Sequence, residues 1–341
     1  MGRRLVVGFE SALEFWRSAR QGSLAAADDD FAGAVIGRRP ETVGQTARRA
    51  AELCGLDAPI QVVVPSAAKR YHSGLVKSGV FGGPLGDKYL YGVDSDVFVC
   101  RMPVVLVQLA TQLDEIELAQ LACEMMGSYG FDPDPTEGFG KDVRPLVAFD
   151  EFMSYARAAL ATKTRGARRA MDALSLASSN SNSPRETDVA ILMKLTRARG
   201  GLSLSGFEMN AAIELPEEVQ KIVGQEMLRP DFCWPAAKLI VEYESDEFHA
   251  TPEAMKRDER RRRAFEAAGY MQRRLTNDIL KSDEQLNIFM SELARRVDPH
   301  RPPATKTMLE KRRDLRERLF GPQDKEAALD ALAHPHEGVI L

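Results

Sequence analysis

Five residues in the second half of the chain have types and spacings suited to one kind of chemistry: Glu186, Asp231, Glu242, Glu244 and His249. Hydrolysing a phosphodiester at neutral pH requires that charge on the phosphate be neutralised and that a water be made nucleophilic. A divalent ion does both, and Mg²⁺ wants a few carboxylate oxygens while keeping several waters. Asp231 follows Pro230 in a short apolar run, and Glu242 and Glu244 stand eleven and thirteen residues later, after Leu239, Ile240 and Val241. A strand period of two puts Glu242 and Glu244 on one face, and a tight antiparallel turn brings that face beside Asp231. Carboxylates on strands are usually solvated. Glu242 fits that description poorly, because its run looks central and buried, and a charge there wants a metal or an ionic partner. Glu186 is available as an outer carboxylate, although an acid near a helix start also stabilises the helix by itself. His249, just past the strand, is equally consistent with a surface histidine ahead of a helix cap.

The elements that must position these residues follow from local signals. Serines and asparagines cluster in SLASSNSNSPRE, closed by Pro184, which marks a boundary. After it the order is helix, loop, strand, strand, helix, strand, helix. Arg185 to Arg199 reads as helix, with Pro184 at its first turn and Gly200–Gly201 as the stop. MLRPDFCWP and KLIVEYES read as strands joined by a turn through Pro235, Ala236 and Ala237. Thr251 to Ala268 is a helix with Thr251 as N-cap, YMQRRLTN a third strand, and Ser282 to Val297 a closing helix. Beyond Pro299 the chain is strongly charged, with a helix over Met308 to Phe320 whose interleaved charges suggest a solvated face.

Residues 1 to 176 read as a mixed α/β region of their own. PIQVVVP is a short strand, VFVCRMPVVLVQLATQL a strand and then a helix split at Pro103, and DEIELAQLACEMMG a helix. Helices follow at Phe149 to Ala161 and Thr164 to Leu176. The glycine-rich SGLVKSGVFGGPLGDKYLYG lacks the lysine-serine ending of a phosphate loop and reads as turns between strands. The expected organisation is therefore a domain over 1–176, a second over 184–298, and a charged helical tail over 299–341, all in the mixed α/β (α+β) class. Cys54, Cys100, Cys123 and Cys233 are widely spaced, without a CxxC pair, and read as free thiols of a reducing compartment. No apolar window approaches the roughly 20 residues that span a bilayer, and MGRRLVVGFESALEFW lacks a cleavage site, so a cytoplasmic protein without a membrane partner is expected.

The ordered set SPRE (Ser183 to Glu186), PDFCWP (Pro230 to Pro235), VEYES (Val241 to Ser245), His249 and RDERRRR (Arg257 to Arg263) resembles the PD-(D/E)xK nuclease superfamily. The resemblance is to its Vsr-like branch, the domain of unknown function 559. Most of the match lies between Gln220 and Thr276, and it reaches back to Pro184. It implies a restriction-endonuclease-like mixed sheet flanked by helices and a Mg²⁺- or Mn²⁺-dependent endonuclease that hydrolyses or nicks DNA, in phage defence or DNA repair. Carried over, Asp231 and Glu242 ligate metal, Glu186 supports the site directly or through water, Glu244 takes the third motif position, and His249 serves as base or hydrogen-bonds the leaving group. Two departures stand out. The superfamily's lysine is absent from the third position, and the branch usually has Asp where this chain has the longer Glu244. Residues before Pro184 more faintly resemble the body of AbiEi-type abortive-infection proteins. That implies an alternative: a non-catalytic antitoxin or regulator whose first half binds DNA or a toxin or defence-system protein, while a vestigial nuclease fold survives as a binding platform.

Arg257, Arg260, Arg261, Arg263, Arg273 and Arg274 are the candidate DNA contacts. Asp258–Arg262 and Glu259–Arg263 have the spacing of supporting pairs on an exposed helix. Four successive arginines nevertheless cover more of the helix than pairing needs, which favours a phosphate-contacting flank. A net charge of −4 is neutral on this point, since acids of a metal site and bases of its flanks cancel in the sum. Trp234 reads as packing rather than as a base-stacking platform.

Overall fold

The computed structural model describes residues 4–20, 42–131, 138–244 and 252–321. The chain is mixed α/β, with mixed sheets flanked by helices, and divides into two compact units, Met1–Ser179 and Asn180–Leu341.

The first unit contains β1 (Leu5–Val7), α1 (Phe9–Arg20), α2 (Val43–Cys54), β2 (Ile60–Val64), β3 (Val76–Val80), β4 (Leu90–Gly92) and β5 (Val97–Cys100). It continues with α3 (Met102–Leu109), α4 (Glu115–Met126), β6 (Tyr129–Phe131), β7 (Phe139–Lys141), α5 (Phe149–Ala161) and α6 (Ala167–Leu176). Its main sheet runs β3-β2-β1-β5-β4. Every residue of α3 is buried, as expected for a helix apolar but for Gln108, whose side-chain oxygen accepts from the Phe9 N–H. Pro103 in its first turn costs no hydrogen bond there and ends the preceding strand. Helix α4 starts where Asp114 accepts from the backbone N–H groups of Ile116 and Glu117, while Glu117 accepts from that of Asp114 at 2.7 Å. All four cysteines are buried free thiols.

The second unit contains α7 (Pro184–Lys194), β8 (Glu208–Met209), β9 (Ile213–Glu214), α8 (Glu217–Val223), β10 (Met227–Leu228), β11 (Phe232–Trp234) and β12 (Leu239–Glu244). After these come α9 (Pro252–Ala267), β13 (Met271–Thr276), α10 (Asn277–Lys281), α11 (Asp283–Val297) and α12 (Lys306–Phe320). Its sheet has the order β13-β12-β11-β8. β8, β11 and β12 are antiparallel neighbours, whereas β12 and β13 are parallel. A parallel neighbour cannot be reached by a hairpin, and the connecting chain includes α9.

Three local expectations are corrected here. The helix expected over Arg185 to Arg199 stops at Lys194, and a 3₁₀ turn over Arg197–Arg199 follows. The backbone N–H groups of Leu202 and Leu204 return to the carbonyls of Leu192 and Met193, which buries Leu195, Leu202 and Leu204. That burial outweighs continuation of the helix. The strand expected over MLRPDFCWP is two strands, β10 pairing with β9 and β11 with β12, separated at Pro230, which has no N–H for a ladder. Helix α12 is not wholly solvated, because it buries Arg312, Leu315, Leu319 and Phe320.

Candidate functional site

The register of β11 and β12 builds the site. Phe232 pairs with Val241 and Cys233 with Ile240; one step further along, Asp231 stands opposite Glu242. The tie is direct, since Asp231 Oδ2 accepts from the backbone N–H of Tyr243 at 2.7 Å. Alternation puts Ile240, Glu242 and Glu244 on one face, and Ile240 packs in a core with Ala264 and Phe265 of α9. One helical turn before Phe265, Arg261 therefore reaches Glu242, with Nε at 2.7 Å and Nη2 at 2.6 Å from its Oε1. Gln272 of β13 donates to the other oxygen of Glu242.

Glu186 joins from α7. Ser183 caps that helix by accepting from the Glu186 N–H, and its hydroxyl donates back to Glu186 Oε1 at 3.0 Å. The second oxygen accepts from the Asn182 N–H at 3.1 Å and from Asn210 Nδ2 at 2.9 Å. Asn210 also lies beside Asp231, its N–H donating to the Asp231 carbonyl. Both the helix-start role and proximity to Asp231 thus hold for Glu186.

These acids affect one another. Burial, then the charge of Glu186 and that of Glu242, push the Asp231 carboxyl up to about 8, against the Tyr243 N–H and Arg261, which pull it down. Burial raises Glu186 as well, although its neutral donors oppose the shift. As they stand, no three His, Cys, Asp or Glu side chains among the described residues are grouped closely enough to hold a metal ion. Glu244 lies further out, with 36% of its side chain exposed and an ion pair to Arg274 at 3.2 Å. His249 lies outside the described residues.

The six candidate arginines divide into two sets. Arg261, Arg263 and Arg274 are engaged by Glu242, Glu259 and Glu244. Arg257, Arg260 and Arg273 are exposed and have no acid partner within 4 Å among the described residues. Arg262 pairs with Glu259 and Glu266 rather than with Asp258. Trp234 is packing: it is 2% exposed, lies 5.1 Å from Phe207, and donates to the Ser205 carbonyl.

Sequence reasoning missed Asn210 and Gln272. Gln272 was accessible to it, since it alternates with Arg274 on a strand parallel to β12 and so shares the face of Glu242. Its Oε1 is buried without a hydrogen-bond partner among the described residues. Asn210, with φ of 51° after a two-residue strand, left no sequence signal. A concavity lined by Cys233, Lys238 and Tyr270 opens near the turn end of the same strands and includes none of the candidate residues.

The fold and site define a mixed α/β protein whose second unit gathers carboxylates at the junction of β11, β12 and α7. Comparison of the chain with protein-family models, curated proteins and solved structures gives no match in any of the three. Among the described residues no helix is long and apolar enough to cross a membrane.

Proposed function

We propose that the second unit is a PD-(D/E)xK-type, Vsr-like endonuclease domain that cleaves or nicks DNA with Mg²⁺ or Mn²⁺. The observation that carries this reading is the crowding of Asp231 by Glu186 and Glu242 in a partly buried corner, which leaves the Asp231 carboxyl short of positive charge. The donor chemistry suits a hard divalent ion, because all three side chains offer carboxylate oxygens, and binding would require the three to draw closer together than they stand. Asp231 and Glu242 would hold it, with Glu186 behind them. When bound, the ion would supply charge neutralisation at the phosphate and a more acidic water. In its absence Arg261 neutralises Glu242. Arg257, Arg260 and Arg273 offer exposed guanidiniums to backbone phosphates, and Glu244 or His249 handles the proton.

A specific observation favours a second reading, a non-catalytic regulator of AbiEi type that binds DNA or a toxin partner. Both oxygens of Glu242 and both of Glu186 already have protein donors. A plasmid-nicking assay with Mg²⁺ and Mn²⁺ separates the two, run beside Asp231→Asn and Glu242→Gln. Metal-dependent cleavage lost in both variants is the expected result. Cleavage that survives in both means another site or a contaminant. If no sample cleaves, the regulator stands.

A further inference from the structure

In a group of arginines outside the carboxylate corner, no guanidinium has an acid within ion-pair distance among the described residues. Arg197, on the 3₁₀ turn after α7, donates through Nη2 to the carbonyls of Pro302 at 3.0 Å and Pro303 at 2.8 Å, which brings it to Arg301. The turn ends at Gly200, with φ of +93°, where an added Cβ would stand 2.4 Å from the Lys311 carbonyl oxygen. The turn therefore lies directly on α12 and can do so only with glycine. There Arg312, 5% exposed, donates to the Gly200 carbonyl and, at 2.9 Å, to Asn287 Oδ1. These partners are neutral. Arg301 makes no side-chain hydrogen bond or ion pair among the described residues, and Asp298 is the acid that acts on it electrostatically.

Four other shielded arginines are matched by acids: Arg17 by Glu124, Arg49 by Asp94 and Asp96, Arg261 by Glu242 and Arg316 by Asp283. Arg20 donates to the carbonyls of Arg144, Glu124 and Gly127, and the charge of Glu124 acts on it. In the cluster, burial and the charges of Arg301 and Arg197 bring Arg312 down to about 10, and burial and Arg197 lower Arg301. A guanidinium at about 10, as at Arg312, still carries its charge at neutral pH. Like charges held together and partly desolvated are costly unless an anion joins them.

We infer that Arg197, Arg301 and Arg312 form an anion site that takes a phosphate group. Guanidinium forks match phosphate oxygens in pairs, and a shared phosphate converts their mutual repulsion into attraction. The phosphate belongs either to a nucleic-acid backbone or to a small free phosphate. Occupancy requires neither a metal ion nor cleavage, so loss of nicking in the Asp231 variant and loss of phosphate binding here are separate events.

The test uses the full chain in EDTA. Inorganic phosphate is titrated calorimetrically, and a short fluorescent DNA duplex by anisotropy, against wild type, Arg301→Gln and, as a control at an exposed arginine of the first unit, Arg70→Gln. Arg301→Gln breaks no hydrogen bond and relieves the repulsion, so its melting temperature without phosphate should be no lower than that of wild type. Its phosphate affinity should fall at least about tenfold, the size of a lost charge-assisted contact, while Arg70→Gln stays at wild type. If duplex binding falls too, with a salt slope smaller by about one, the phosphate is that of a nucleic acid. If duplex binding is unchanged while phosphate binding is lost, it is a free phosphate. Phosphate binding that is absent in wild type, or equal in wild type and Arg301→Gln, overturns the site.

Discussion

In the first unit, Arg17 lies against Glu124, itself 1% exposed, with Nε and Nη2 on its two carboxylate oxygens at 2.9 and 2.7 Å. Arg49 is likewise divided between Asp94 and Asp96. In the second unit, Asp231 is crowded by acids at one place and Arg312 by arginines at another. The difference lies in what each arrangement leaves undone. A buried pair completed within the chain orients the elements that carry it, whereas an uncompensated cluster of one sign is destabilising unless something from outside completes it. By this criterion the proposed metal and phosphate would bind in the second unit.

The sharpest way to break the comparison is to remove the imbalance. Asp231→Asn should lower metal-dependent nicking on the order of a thousandfold, the several kcal/mol that metal-assisted hydrolysis requires. Wild-type cleavage by this variant would show that the acid corner is not the reactive site. In the first unit the corresponding change acts on stability. Arg17→Met strands Glu124 and should cost about 3–5 kcal/mol in urea unfolding, most of it recovered in the double variant Arg17→Met/Glu124→Leu. A single variant within about 0.5 kcal/mol of wild type would mean that the pair does not organise the core.

The pH dependence of stability sharpens the same contrast. A carboxyl at about 8 in the folded chain and about 4 in the unfolded chain holds its proton more tightly when folded. Stability is then greatest below the unfolded value and falls as pH rises through that window. Unfolding in EDTA should show a loss on the order of 4 kcal/mol between about pH 5 and about pH 8, and Asp231→Asn should flatten it. A profile that is identical in the variant would assign the slope to other groups. The smallest effect concerns the arginines of α9. Arg260→Gln should reduce the salt slope of DNA binding by about one, while Arg263→Gln, already paired with Glu259, should change it little. Equal slopes would remove the distinction between engaged and unengaged guanidiniums.

Much of the site's frame was legible in residue order. Pro184 after Ser183 announced α7, the period of two placed Glu242 with Glu244, and the apolar run before Glu242 announced a buried strand. These are local properties, fixed by φ restriction, capping and side-chain alternation. The two-residue strands β8 to β10 were not legible, because segments that short carry no periodicity. Nor was the arginine cluster, since Arg197 and Arg312 are far apart in sequence and meet only where Gly200 lies on α12.

The sequence by itself determined the mixed α/β class, the starts of α4, α5 and α7, and that Asp231 and Glu242 could share one face of a sheet. Only the tertiary structure decided which charges are matched. Arg261 meets Glu242 because Phe265, one turn on, is drawn into the core under Ile240, whereas Arg301 meets no acid within ion-pair distance among the described residues. Alternation and capping act over a few residues and are written locally. Charge compensation acts through space and depends on which distant segments hydrophobic burial brings together.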